Sequence, residues 1–95
     1  MMVDLYMKDG RTTFRFATRA LAVKAMKRDP LKLDADENRS VRCWARHHTG
    51  SEFMPTRVQL IAPNSVAMVL QVPPEQRDAF LAEHGDERDR LEAAA

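Results

Sequence analysis

The chain is poor in the residues that small catalytic and disulfide-stapled domains depend on. Its 95 residues include one cysteine, three glycines, one tryptophan and one tyrosine. A lone cysteine excludes an intramolecular disulfide framework and fits a reducing compartment. Three glycines leave no glycine-rich loop to cradle a phosphate, and no G-x-S-x-G elbow accompanies the serines. No apolar run approaches the ~20 residues of a membrane span. The longest, VAMVLQV, has the length of a strand. The N-terminal MMVDLYMKDG lacks a charged stretch leading into an apolar one, so no secretory signal is expected and the cytoplasm is the expected location.

What is present reads as a globular protein: 44% hydrophobic and 31% charged residues in a length suited to one domain spanning 1–95. Net charge is only +1, but it is unevenly spread. Residues 1–32 hold eight Lys/Arg against three Asp/Glu, whereas residues 75–95 hold three Arg against seven acids. Such asymmetry marks either a basic binding surface with an acidic tail or two solvated faces.

The clearest unit is VDLYMKDGRTTFRF. Asp9-Gly10 suits a two-residue type I′ turn. Centring the hairpin there pairs Tyr6 with Thr13, Leu5 with Phe14, Asp4 with Arg15 and Val3 with Phe16. One face then collects Val3, Leu5, Met7, Phe14 and Phe16, and an opposite-charge pair falls across the strands. Thr18 is a candidate N-cap for the helix RALAVKAMKRD, whose apolar stripe is Leu21, Ala22, Ala25 and Met26. Pro30 stops that helix near Asp29. LKLDADENRS reads as a polar connection, residues 41–48 as a strand, and TGSEFMP as a loop. TRVQLIA and VAMVLQV then read as two strands joined by the turn formers of PNS. The second of these is either central or an edge able to pair with another copy. PPEQRDAFLAEHG opens with prolines suited to a helix start and ends in Gly85, suited to the C′ position. Residues 86–95 are a frayed or disordered extension. The expectation is an α+β single domain, ββαβββα, with a mainly antiparallel sheet of about five strands and helices on one face.

Chemistry concentrates in RSVRCWARHHTG. Cys43, His47, His48 and His84 are metal-ligand types, but the paired spacing of zinc sites is missing and alternation sends His47 and His48 to opposite faces. Cys43 and His47 share a face yet lie about 13 Å apart along a strand, too far for a nucleophile and its base. Neither a metal, a cofactor nor a catalytic residue is expected. Val41, Cys43 and Ala45 read as core. The alternate residues Arg42, Trp44, Arg46 and His48, with Tyr6, Arg11, Arg15 and Arg57, make an arginine–aromatic face that is open if the helices cover the other side. Lys24, Lys27 and Arg28 add a basic helix face. Arginine–aromatic surfaces serve protein–protein hot spots and also stack bases and neutralise phosphates. A competing reading packs Trp44 beneath TGSEFMP or the acidic connection, with the arginines paired to carboxylates.

Two functions follow. The first is a non-catalytic protein-binding module that works by occupying a partner's surface. The second is a nucleic-acid-binding domain, against which stand the small net charge and the lack of a recognition motif. The hairpin VDLYMKDGRTTFRF followed by RALAVKAMKRD and further strands resembles, in size and architecture over about the first thirty residues, small phage-encoded inhibitors of host defence, including anti-CRISPR proteins. The resemblance implies a stoichiometric inhibitor of a nuclease complex and carries over no functional residues. Homo-oligomers are compatible with either function; a membrane partner is not expected.

Overall fold

Alternating apolar and polar side chains on both sides of Asp9-Gly10 build the hairpin that anchors the fold. In the computed structural model, which describes residues 1–27, 43–56 and 60–94 (the backbone alone for 85–94), β1 (Val3–Met7) and β2 (Thr13–Phe16) pair antiparallel. Val3 lies opposite Phe16, Asp4 opposite Arg15, Leu5 opposite Phe14 and Tyr6 opposite Thr13, the register the alternation predicts. The turn itself differs from type I′, which needs positive φ at both central residues. Only Gly10 has it, at 71°. Met7 N–H donates to Thr12 O at 3.0 Å and Gly10 N–H to Met7 O at 3.2 Å, which closes a four-residue loop. Asp9 accounts for the change. Its carboxylate accepts the N–H groups of Arg11 and Thr12, each at 2.8 Å, and the Thr12 hydroxyl at 2.7 Å.

Thr18 caps α1 (Arg19–Met26) as expected, its Oγ1 accepting Leu21 N–H at 3.2 Å. Near the far end Ile61 N–H donates to Ala25 O at 2.7 Å, satisfying a carbonyl that has no partner inside the helix. α1 ends short of the stop expected near Asp29: Lys27 is already extended, at φ −75° and ψ 138°, its N–H donating to Val23 O. Asp29–Pro30, the connection LKLDADENRS, and Val41, Arg57 and Val58 lie outside the described residues.

β3 (Cys43–Arg46) pairs with β2, and β4 (Met54–Thr56) with β3. The expected strand TRVQLIA is described only in part, because residues 57–59 lie outside the described residues. Pairing starts earlier, at Met54 inside the expected loop, and Leu60–Ala62 are irregular. Ile61 turns inward to join the core and cap α1, while Leu60 and Ala62 on either side of it are exposed. PNS does form a tight turn, a single turn of 3-10 helix over Pro63–Ser65. β5 (Val66–Gln71) then crosses back to pair antiparallel with β1, with a register shift between Tyr6 and Met7. The sheet order is β4-β3-β2-β1-β5, all antiparallel.

Both faces of this sheet are apolar in part, and each has its own cover. Val3, Leu5, Phe16 and Cys43 project to one side and bury against Leu21, Ala22 and Ala25 of α1, with Ile61 closing the cluster. Met2, Trp44 and Val72 fall on the opposite side and bury against Phe53 and against Phe80 of α2 (Pro74–Ala94). The helices therefore lie on opposite faces, not on one. The physical reason is that the second face also carries large apolar groups that need covering. The prolines start α2 as predicted, with Arg77 N–H donating to Pro73 O at 2.9 Å. Its backbone runs on through Gly85, where a stop was expected. Glycine inside a helix costs only about 1 kcal/mol relative to alanine, so by itself it does not end one. The molecule is an α+β domain with a five-stranded antiparallel sheet and two helices. Among the described residues, no helix is long and apolar enough to cross a membrane.

Candidate functional site

The expected open arginine–aromatic face is largely filled. Trp44 is 1% exposed, with Phe80 edge-on at 5.0 Å between ring centroids. Phe53, from the TGSEFMP loop, is edge-on to Phe80 at 5.7 Å, and His84 stacks on Phe80 at 4.2 Å. Arg15 is an internal group. Its Nε and Nη2 donate to the two Asp4 carboxylate oxygens at 2.8 Å each, and its guanidinium carbon lies 4.4 Å from the Phe53 centroid and 4.7 Å from that of Phe80. The two side chains are 12% and 5% exposed. Trp44 and Arg15 thus belong to the packing, which is the competing reading: the loop that holds Phe53 does fold over Trp44, and Arg15 is paired to a carboxylate. The Trp44 indole N–H is buried without a hydrogen-bond partner among the described residues.

Burial also decides the chemistry of Cys43. Its thiol lies on the α1 side of the sheet and desolvation raises its pKa to about 12. His84 lies on the other side, against Phe80. A sheet separates the two, so they make no nucleophile–base pair. His47 and His48 sit just past the end of β3, both exposed. Among the described residues, no three His, Cys, Asp or Glu side chains are grouped to hold a metal ion.

Of the remaining expected site residues, Tyr6 is half-buried on the α2 side of the sheet, while Lys24, half-buried in α1, and Lys27, exposed just past its end, lie on the other. Arg28 and Arg42 lie outside the described residues. The expected residues therefore do not form one surface. Arg46 and His48 do come together, at the β3–β4 hairpin. The loop there turns at His48–Ser51, with Ser51 N–H donating to His48 O at 3.0 Å and Gly50 at φ 88°, the positive φ a type II turn requires at its third residue. Arg46 lies with its guanidinium carbon 4.7 Å from the Phe53 centroid, a cation–π contact that orders it. An open depression of about 540 Å³ is lined by Arg46, His47, His48, Glu52, Met54 and Pro55 among others. Sequence reasoning missed Phe53 and Met54. The available signal was two apolar residues at the end of an otherwise polar loop, placed to continue a hairpin from Arg46.

The fold and this surface define a small α+β domain with an open hairpin at one sheet edge that carries Arg46, Glu52 and two imidazoles. Compared with known proteins, the chain matches no family model, no curated protein and no solved structure.

Proposed function

We propose that the protein is a non-catalytic protein-binding module that works in the cytoplasm as a stoichiometric inhibitor, occupying a surface of its partner through the β3–β4 hairpin. The observation that carries this reading is the division of labour among its reactive and aromatic side chains. Cys43, Trp44 and Arg15 are committed to packing, whereas Arg46, His47, His48 and Met54 line an open depression. Such a surface suits a protruding acidic segment of a protein better than a small substrate, which is normally enclosed over most of its surface. The particular form we favour is an inhibitor of a nuclease complex, of the kind phages encode against host defence, in line with the architectural resemblance of the first thirty residues. The nucleic-acid reading is weakened because Trp44, the best stacking group in the chain, is covered by Phe80.

The test is a pair of capture experiments with wild type and the Arg46→Glu/His48→Glu variant. Losing the Arg46–Phe53 contact costs about 0.5–1 kcal/mol, so the variant is expected to fold. The wild type should retain one protein in fixed stoichiometry and the folded variant should lose it. Salt-sensitive binding of the wild type to RNA or DNA, abolished in the variant, would overturn the reading in favour of a nucleic-acid partner.

A further inference from the structure

The two edges of the sheet are built differently. β4 is three residues long and contains Pro55, which blunts it as an edge. β5 is six residues, VAMVLQ, with no proline, no charge and, among the described residues, no neighbour on its outer side. Met68, Val69 and Leu70 are 49%, 48% and 44% exposed, on both faces of the strand. An uncharged, apolar edge of this length lacks the charge and proline that keep edges from pairing, and its one irregularity is the register shift at Ala67, near its start.

The hydrogen bonds show which backbone groups face outward. Val72 N–H donates to Met2 O at 2.9 Å and Lys8 N–H to Ser65 O at 2.8 Å. In an antiparallel ladder, alternate residues face the same neighbour. Met68, Leu70 and Val72, opposite Tyr6, Asp4 and Met2, therefore direct their backbone groups to β1. Val69 and Gln71 direct theirs to the open edge.

We propose that this edge joins β5 of a second copy, antiparallel, so that the two sheets become one across a two-fold axis normal to them. Such an axis maps each face onto itself, so opposed residues share a face and the sum of their numbers is even. Centring on Val69 meets that condition with an outward-facing residue on the axis and five residues, 67–71, in register. Val69 then opposes its own copy, Met68 opposes Leu70 on the α2 face, and no charge opposes a like charge. The exposed Glu75 just beyond the end of β5 is also brought toward the end beside Ser65, where the exposed Lys8 of the other copy lies. The occupant is a second copy because the strand is self-complementary in apolar character and its two ends are opposite in sign. This surface is at the other edge of the sheet from the β3–β4 hairpin and does not depend on the function proposed for it.

Analytical ultracentrifugation over a concentration series is expected to give a dimer for the wild type. Val69→Lys, which places a charge at the edge, should be monomeric with an unchanged circular dichroism spectrum. The register is tested by mixing Met68→Cys chains with Leu70→Cys chains. Their Cα atoms would be about 4.5 Å apart in the non-hydrogen-bonded pair, within disulfide reach, whereas two Met68 positions would be diagonal neighbours about 7–8 Å apart. The mixture should form a disulfide-linked dimer at least tenfold faster than either variant alone. A wild type that stays monomeric throughout the series overturns the proposal, as does a folded Val69→Lys variant that still dimerises. If Val69→Lys does not fold, crosslinking decides: equal rates for the mixture and for Met68→Cys alone reject the pairing.

Discussion

Arg15 is restrained by a carboxylate and two aromatic rings, and its position explains why a surface arginine in the sequence becomes an interior one. Asp4 neutralises it with two parallel hydrogen bonds, and Phe53 and Phe80 lie within cation–π range. Removing one partner of a buried pair strands the other's charge, at about 3–5 kcal/mol. Asp4→Ala should therefore cost that much in urea unfolding, while Asp4→Leu combined with Arg15→Met should cost much less, because no charge is left unpaired. A loss below about 1 kcal/mol for Asp4→Ala would place the pair among ordinary surface ion pairs. The pairing of Asp4 with Arg15 was legible from the hairpin register. Its burial was not, because the rings that cover it come from a distant loop and from α2.

Among the elements, the β1–β2 hairpin was the most legible and its turn the least. Strand alternation determines register through the core, so Val3, Leu5 and Phe16 had one workable arrangement. The turn instead depends on where one carboxylate finds hydrogen-bond donors. Two backbone N–H groups and a hydroxyl hold the Asp9 pKa down to about 2. Unfolded, this group has the ordinary carboxylate pKa near 4, so between about pH 4 and 2 the unfolded chain binds the proton first. The turn's contribution is thus present above pH 4 and lost as pH falls toward 2. Thermal melts of wild type and Asp9→Ala should converge over that interval. A gap between them that persists at pH 2 would show that the charged carboxylate is not what stabilises the turn.

For the molecule as a whole, the decisive feature is the cover on each side of the sheet. Because α2 closes the face that the sequence left open, the emission of Trp44 should be blue-shifted in the native protein and shift red only on unfolding. Single-stranded RNA, single-stranded DNA and duplex DNA should leave it unchanged at low and high salt. A red-shifted native emission, quenched by nucleic acid, would contradict the packing of Trp44 against Phe80. The same two-sided arrangement leaves the sheet edges open among the described residues, and both proposed contacts lie at those edges.

The sequence alone determined the local pairing: hairpin register, the Thr18 cap, the α1 stripe and the α+β class. Each depends on side-chain periodicity or on hydrogen bonds spanning a few residues, which are written in neighbouring positions. Only the tertiary structure decided that α2 covers Trp44, that Ile61 caps α1, that β5 joins β1 at an edge, and that Arg46 and His48 share a surface apart from Lys24 and Lys27. These outcomes depend on which of several apolar faces meet. That choice is made by burial over the whole chain, and alternation in any one segment is equally consistent with either side being covered.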